Sequence, residues 1–448
     1  MANKLFGTDG VRGKAGAYPM NVEFAEKLAQ VLSKLIATDR KKVAIGKDTR
    51  ISGDMLECAM SAKFLENGVD VISLGVVPTP LVTSAVERLG VDMAIMITAS
   101  HNPYHDNGIK LIDKNGDKFD DSVYREIEES IENLKDTKES EKIGKIIRNE
   151  SAIEEYIAMI RDIAPNYKAL QGLKVVLDCA NGAYYYILPQ IFKDLGAGVI
   201  SLSNTPDGYN INKDCGSMHT DNLALTVVES KADFGIAVDG DGDRIILVDD
   251  KGVVIDGDQL LSFLANYMKK QNMLNDNSVV STEWSNLGLG EYLEKNGFSY
   301  YKCKVGERYV VDLMKQKGAK LGGELVGHIV LSDFSKSGDA VVVGVVLALA
   351  ILDEKKKASE IFPLFKPYPC IIENIRFSCN EYMRESVEHD DVKEAVSEAK
   401  KLLGEDSNLI VRKSGTEPVI KLRVEGKDEA MVVEILNKLK ALIVKYQK

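Results

Sequence analysis

The stretch Val91-Asp92-Met93-Ala94-Ile95-Met96-Ile97-Thr98-Ala99-Ser100-His101-Asn102-Pro103 runs from almost continuous apolarity into a polar turn. The apolar part, Val91 to Ile97, predicts a strand buried on both faces. Pro103 has no N–H to give to a ladder, so a central strand cannot pass through it. Ser100 and His101 therefore belong to a sharp loop at the strand's C-terminal end. In open α/β sheets ligands bind at that end, and a hydroxyl beside an imidazole could carry chemistry there. An ordinary surface turn is the alternative, since Ser, Asn and Pro are common turn residues.

Working outward, the chain alternates. Strands at 42–45 and 69–74 flank a helix at 52–66 that Ser52 could cap, and a helix at 80–89 precedes the strand that ends before Ser100. Asn107 to Ile112 reads as a turn and a strand, with Lys110 solvated in the plain reading. An acidic helix from Asp120 to Lys135 and a charged stretch from Asp136 to Glu150 follow. The alternation restarts after 150 and again near Asp258. Strands alternating with helices predict an α/β fold with largely parallel sheets covered on both faces. Three such units suggest a repeated fold, although the sequence shows no clear repeat. Beyond Pro363, Pro367 and Pro369 lies a smaller unit of strands near 371–377, 409–411 and 420–424 with helices at 392–403 and 429–446.

A chain of 448 residues is long enough for several domains, and 45% hydrophobic with 28% charged residues is the composition of a water-soluble globular protein. The formal charge of −11 argues against general nucleic-acid binding. An anionic substrate must then be held by local cations and backbone amides. Met1 to Gly10 has no apolar signal-peptide core, and the longest apolar run, Ala340 to Leu352, is shorter than the roughly 20 residues that span a bilayer. No membrane association is expected. Cys58, Cys179, Cys215, Cys303, Cys370 and Cys379 form no Cys-x-x-Cys pair, which disfavours zinc and suits reduced thiols in a cytoplasmic enzyme.

Four further stretches carry candidate chemistry. In Phe6-Gly7-Thr8-Asp9-Gly10-Val11-Arg12-Gly13, glycines around Arg12 suggest backbone packed close to an anion, or merely a glycine turn. Asp239, Asp241 and Asp243 alternate with glycine, and three carboxylates so close repel one another unless a cation offsets them. Hard oxygen ligands suit Mg²⁺ or Ca²⁺. A calcium hand needs glycine at its sixth position, where Arg244 stands, and helical flanks where these read as strands, so a magnesium loop is preferred over it and over a solvated acidic turn. Glu324 and His328 enclose Leu325-Val326-Gly327. A carboxylate there can accept hydrogen bonds from sugar hydroxyls and His328 can exchange protons, although either residue could be structural. Arg412-Lys413-Ser414-Gly415-Thr416 offers cations, hydroxyls and free amides suited to phosphate, or forms a basic surface loop.

Together and in this order, these stretches resemble the α-D-phosphohexomutase superfamily, and most closely its phosphoglucosamine mutase branch. Thr98 to Pro103 is similar to the family's phosphoserine loop, Asp239 to Arg244 to its magnesium loop, Gly323 to His328 to its sugar-binding loop, and Arg412 to Pro418 to its phosphate-binding loop. The branch is carried by Phe6 to Gly13, by Val305-Gly306-Glu307-Arg308-Tyr309-Val310 and by Arg412 to Pro418. The resemblance implies three related α/β domains with mixed, largely parallel sheets and a smaller C-terminal α+β domain, around a central cleft. The expected division is 1–150 for the phosphoserine loop, 151–256 for the metal loop, 257–366 for the sugar loop and 367–448 for the phosphate loop.

The implied reaction interconverts glucosamine 6-phosphate and glucosamine 1-phosphate, on the route to UDP-N-acetylglucosamine, through a phosphoserine enzyme and a sugar bisphosphate. Ser100 would carry the phosphoryl group and, with Asp239, Asp241 and Asp243, hold one Mg²⁺. Arg12, Arg244 and Lys110 would offset charge, His101 would orient the phosphoserine, and Lys110 or His328 would move the proton. Glu324, Gly327, His328, Arg412, Ser414, Gly415 and Thr416 would bind the phosphosugar, and a homodimer is compatible with the resemblance. Four positions, in three places, depart from the family pattern. Leu325 and Val326 replace polar residues in the sugar loop, Lys421 replaces an arginine, and Ala340 replaces a glycine. These keep a phosphomannomutase or phosphoglucomutase, or a non-catalytic sugar-phosphate sensor on the same fold, as the alternatives.

Overall fold

The computed structural model describes residues 5–36, 41–134, 142–404, 407–413 and 418–446. They form two compact units, Met1–Glu283 with Ser299–Leu364, and Trp284–Phe298 with Phe365–Lys448.

In the first unit the chain runs β1 (Val11–Lys14), α1 (Val22–Leu35), β2 (Lys42–Lys47), α2 (Ser52–Glu66), β3 (Asp70–Val76), α3 (Thr79–Leu89), β4 (Met93–Ile97), β5 (Asp106–Asp113), α4 (Asp121–Glu132) and β6 (Ile146–Arg148). These strands make one sheet in the order β1-β5-β4-β2-β3-β6. It continues through α5 (Ala152–Arg161), β7 (Lys174–Asp178), α6 (Ile187–Asp194), β8 (Gly198–Leu202), α7 (Asp221–Ser230), β9 (Phe234–Val238), β10 (Ile245–Asp249) and β11 (Val254–Ile255), whose sheet has the order β11-β10-β9-β7-β8. Next come α8 (Gly257–Lys270), β12 (Ser278–Thr282), α9 (Leu287–Lys295, part of the second unit), β13 (Ser299–Cys303), α10 (Glu307–Lys317), β14 (Leu321–Gly323), β15 (Ile329–Leu331), α11 (Ala340–Glu354) and α12 (Ala358–Ile361). The third sheet has the order β13-β12-β14-β15.

The repetition hidden in the sequence lies in strand direction. In each sheet one strand, β4, β9 or β14, pairs parallel on one side and then turns back into an antiparallel partner, β5, β10 or β15. The three turns at these reversals are 98–105, 239–244 and 324–328, so the Ser100, aspartate and Glu324 stretches occupy the same place in three sheets. Every residue of β4 and of β9 is buried, as their unbroken apolarity predicts. The helix α11 is apolar all round and almost wholly buried, and the Asp339 carboxylate caps it by accepting from the Val341 and Val342 amides. Among the described residues no helix is long and apolar enough to cross a membrane.

The second unit is an antiparallel three-stranded sheet, β16 (Cys370–Arg376), β18 (Val419–Glu425) and β17 (Asn408–Lys413), in that order, with α13 (Asn380–Glu388), α14 (Asp390–Leu403) and α15 (Glu429–Val444) as well as α9. Ile420, Leu422 and Val424 share its core with Leu436 and Leu439 of α15. A register of Arg412 opposite Lys421 sets two cations side by side on adjacent strands.

Several local expectations change. Ser52 does not cap α2. The helix begins at Ser52 with Ile51 before it, and Ser52 Oγ instead accepts from Asn107 Nδ2 at 2.8 Å. The glycine-rich stretch divides: Gly7 to Gly10 is a turn closed by the Gly7 amide donating to Gly10 O at 2.8 Å, and Val11 to Gly13 opens the edge strand β1, where Gly108 opposite Arg12 has no Cβ to hold the strands apart. A side chain at Gly108 would meet Thr98 O at 2.5 Å and Val11 O at 2.8 Å. Lys110 is not solvated; it is among the largest fully buried side chains.

Candidate active site

β4 ends in Ile97, and Ser100 follows with φ at +54°, the left-handed region that side-chain-bearing residues seldom adopt. This aims Ser100 Oγ at the aspartate turn, where it donates to Asp239 Oδ2 at 2.7 Å. His101 Nδ1 stands 3.4 Å from the same oxygen. Burial, then the Arg244 and Arg12 charges, hold its imidazole down to a pKa of about 3, so it faces Ser100 neutral. The close approach of the two turns depends on Gly240, where a Cβ would lie 2.6 Å from Ser100 O.

Asp239, Asp241 and Asp243 are all buried, and each offers a carboxylate oxygen within 4.8 Å of the others. Lys110 Nζ donates to Asp241 Oδ2 at 2.7 Å and to Asp243 Oδ2 at 2.8 Å, with Asp9 Oδ2 at 3.2 Å. Burial disfavours the ammonium, but these carboxylates outweigh it and hold Lys110 cationic, well above its ordinary pKa. His328 joins the group through Asp243 Oδ1 at 2.9 Å and Glu324 Oε2 at 2.7 Å. Arg244 Nε also lies 3.1 Å from His328 Nε2, a contact that is a hydrogen bond only if the imidazole is neutral. Burial favours that neutral form too, yet two carboxylates at these distances prevail and push His328 up to about 10. Glu324 Oε1 accepts from the Gly306 amide at 2.9 Å, which ties the third turn to the start of α10. Arg12 Nη2 pairs with Asp9 Oδ2 at 2.7 Å, and its Nη1 points at Ala99 O at 3.4 Å.

The aspartate cluster fits a hard divalent cation. Asp241 Oδ1 is buried with no hydrogen-bond partner among the described residues. Burial and the neighbouring Asp243 and Asp241 push the Asp239 carboxyl well above its usual range, the mark of negative charge in excess at this point. An all-oxygen donor set with spare charge suits hard divalent ions rather than zinc-like ones.

The structure thus brings together Ser100, His101, Lys110, Arg12, Asp239, Asp241, Asp243, Arg244, Glu324 and His328. Gly327, with φ at +92°, makes the tight return of the third turn, and its amide donates to Glu324 O. Leu325 is partly buried and Val326 is 44% exposed, so the apolar departures from the family pattern sit at the turn's tip. Ala340 donates its amide to Gly242 O at 3.1 Å, a backbone contact indifferent to the extra methyl. Arg412 belongs to the second unit and is exposed; Ser414, Gly415 and Thr416 lie outside the described residues. Lys421 stands over the Trp284 ring at 5.5 Å.

The sequence left several contributors unnoticed. Thr79 donates its hydroxyl to Asp241 Oδ2, and Lys118 bridges Asp9 and Glu307. Asp48 and Arg50, which follow β2, buttress the Ser100 turn. Their signal was a pair of charged residues at the C-terminal end of a strand next to β4, the same position logic that singled out Ser100.

Comparison with known proteins finds a match over nearly the whole chain. Phosphoglucomutase/phosphomannomutase family models match in order: α/β/α domain I at residues 3–138, domain II at 154–252, domain III at 256–368 and the C-terminal domain at 375–442. The chain belongs to the phosphoglucomutase/phosphomannomutase family, the α-D-phosphohexomutases. Within that family it is 41% identical to a phosphoglucosamine mutase of Parvibaculum lavamentivorans over 447 residues, 99% of each chain. It is also 41% identical to the phosphoglucosamine mutase of Rhodospirillum rubrum over 443 residues, 98% of each chain. Among solved structures, a phosphoglucomutase/phosphomannomutase family protein of Burkholderia thailandensis superposes with a TM-score of 0.80 at 23% identity, covering 100% of this chain and 98% of the other. An N-acetylphosphoglucosamine mutase of Aspergillus fumigatus, solved with GlcNAc-6P and magnesium, gives 0.65 at 14% identity, covering 99% and 96%. These two structures speak for the phosphohexomutase fold alone.

Proposed function

We infer that this phosphohexomutase is a phosphoglucosamine mutase that interconverts glucosamine 6-phosphate and glucosamine 1-phosphate. The observation that carries the inference is the 41% identity to phosphoglucosamine mutases over 99% of the chain. The buried serine aimed at three carboxylates supports the chemistry.

In the proposed reaction Ser100 Oγ carries a phosphoryl group. The Oγ–P bond breaks as a free sugar hydroxyl forms its own O–P bond, and the hydroxyl proton passes to a base. The sugar bisphosphate turns around and returns its other phosphoryl group to Ser100. Such transfer depends on positioning and charge more than on covalent chemistry. A magnesium ion held by Asp239, Asp241, Asp243 and a phosphoserine oxygen would withdraw charge from the phosphoryl group. Lys110, Arg12 and Arg244 offset the remaining negative charge, and neutral His101 orients the serine oxygen. Lys110 and His328 are the candidates to move the proton; both stand protonated against their carboxylates, so either must give up a proton before it can accept the one from the sugar hydroxyl. Glu324 and His328 bind sugar hydroxyls beside Gly327, and Arg412 with Ser414, Gly415 and Thr416 holds the substrate's unreacting phosphate. Domains 1–150, 151–256, 257–366 and 367–448 divide these tasks. The enzyme works in the cytoplasm on a soluble phosphosugar, and a homodimer is its proposed assembly.

The test is a side-by-side rate assay on glucosamine, glucose and mannose phosphates, with intact-mass measurement of the protein. Fastest turnover of the glucosamine phosphates with one phosphoryl group per chain is expected. Faster turnover of mannose or glucose phosphates would make the chain a phosphomannomutase or phosphoglucomutase. A chain that binds phosphosugars without turnover or phosphorylation would be a sensor.

A further inference from the structure

Arg50 follows β2 and its side chain is entirely buried. A guanidinium has five N–H donors in one rigid plane. Arg50 directs one of them, from Nε, at Asp48 Oδ2 at 2.9 Å. The remaining four bonds go to backbone carbonyls of the Ser100 turn and of Asp106, the first residue of β5. Nη2 donates to Ser100 O at 2.9 Å and Asn102 O at 2.7 Å, and Nη1 donates to Pro103 O and to Asp106 O at 3.0 Å. No apolar packing could impose this arrangement, because four carbonyl dipoles pointing at one place repel one another without a cation there.

The guanidinium is itself held. Asp48 Oδ1 accepts from the Arg50 amide at 3.0 Å, and Asp48 Oδ2 also accepts from Thr98 Oγ1 at 2.6 Å. Thr98 Oγ1 in turn accepts from the Ser100 amide at 2.8 Å. Ser100 is therefore gripped at both its N–H and its C=O by one network rooted in Asp48 and Arg50. Asn212, from the loop before α7, adds Nδ2 to the carbonyls of Ser100 at 2.8 Å and Asn102 at 2.9 Å. A residue in the left-handed region persists only when its surroundings over-determine it, and here they do.

We propose that Arg50 is the positioning residue of the phosphoryl-carrying serine: by clamping the carbonyls of Ser100, Asn102, Pro103 and Asp106 it holds Ser100 Oγ against the aspartate turn, with Asn212 as a second brace. This rests on the reading of Ser100 as the phosphoryl carrier. Arg50 touches neither the aspartate carboxylates nor the third turn, so its effect falls on the transfer step. A displacement of a reacting atom by about an ångström costs on the order of 100-fold in rate. Lysine keeps the charge but cannot reproduce a planar five-donor fork.

The experiment compares full-length wild type, Arg50→Lys and Asn212→Ala. Four quantities are read: kcat, KM, the rate at which Ser100 acquires a phosphoryl group from glucose 1,6-bisphosphate by intact mass, and Mg²⁺ affinity by calorimetry. Arg50→Lys is expected to lower kcat and the rate of Ser100 phosphorylation together by about 100-fold, with KM and Mg²⁺ affinity within about threefold of wild type. Asn212→Ala, which leaves the clamp in place, should show the same pattern at about a tenth of the size, and it keeps the idea testable if Arg50→Lys fails to fold. Wild-type kcat and phosphorylation rate in a folded Arg50→Lys, or in Asn212→Ala when Arg50→Lys does not fold, would overturn the assignment. So would a loss confined to KM or to Mg²⁺ affinity. A wild-type protein that acquires no phosphoryl group on Ser100 would overturn the reading of the serine itself, a result separable from failure of the clamp.

Discussion

The Ser100 turn of the first unit and the Arg412 hairpin of the second both join antiparallel strands, and both set hydroxyls next to cations in the sequence. Their surroundings are opposite. Ser100 is fully buried, and the carbonyls around it are committed to Arg50 and Asn212. Arg412 and Lys413 are exposed on a small sheet, with Arg412 opposite Lys421. Glu388 already pairs with Lys413 at 3.0 Å, but like charges facing across a ladder destabilise it, so Arg412 opposite Lys421 leaves a repulsion that an arriving dianion would relieve. In the proposed reaction the Ser100 turn transfers the phosphoryl group, which calls for an atom fixed before substrate comes, and the Arg412 hairpin holds a phosphate, which calls only for exposed charge.

The hardest test of this contrast is removal of the serine oxygen. Ser100→Ala should lower turnover by at least about 1,000-fold and abolish protein phosphorylation, while leaving the fold intact, because one small atom is lost from a braced turn. Intact mass and a coupled rate assay check it; near-wild-type turnover would end the distinction between the two regions. Next, Asp241→Asn should weaken Mg²⁺ at least about tenfold, since an amide oxygen is a poorer ligand than the carboxylate whose Oδ1 is left without a partner. Activity titrated against Mg²⁺ after EDTA treatment, with calorimetry alongside, gives the shift, and full activity in metal-free buffer would refute the cluster's role. Arg412→Ala should raise KM for the phosphosugar about 10- to 100-fold, the value of a charged hydrogen bond, with Ser100 phosphorylation and Mg²⁺ demand unchanged. An effect on kcat alone would blur the division between grip and transfer. The smallest change belongs to the exposed tip of the third turn: Val326→Ser should lower KM by about two- to fivefold if that tip meets a sugar hydroxyl, and steady-state kinetics on glucosamine 6-phosphate would detect it.

How much of this was legible in the sequence follows from where each signal sits. The aspartates alternate with glycines within five residues, so the cluster could be seen without a fold. Ser100 was found because an apolar run and a proline bracket it. The bracing was not visible, because Arg50 and Asn212 meet the Ser100 turn only once two different sheets have folded, across separations of 50 and 112 residues. The residues around Lys110 left its solvated reading open for the same reason: its carboxylate partners Asp241 and Asp243 are 131 and 133 residues away. The threefold repetition was legible in the alternation of strands and helices, but the strand reversal at 98–105, 239–244 and 324–328 was not, because the three turns share no motif. The glycines at 7, 10 and 13 pointed to a turn, which holds for Gly7 to Gly10, whereas Val11 to Lys14 becomes a strand only because β5 supplies a partner.

The place where Gly240 meets Ser100 O has a consequence for heredity. A Cβ at position 240 would come within 2.6 Å of that carbonyl, within 2.8 Å of Asn212 Nδ2 and within 2.8 Å of Ile211 Cδ1. Every amino acid that a single-nucleotide change can put in place of a glycine codon carries a Cβ. No one-step mutation at this codon can therefore be silent in the protein's shape if it alters the residue, and each must move the serine turn or its brace. A lineage could drift through the exposed tip at Val326 while this codon stayed fixed, and resistance to an inhibitor wedged between the two turns would have to arise elsewhere in the gene.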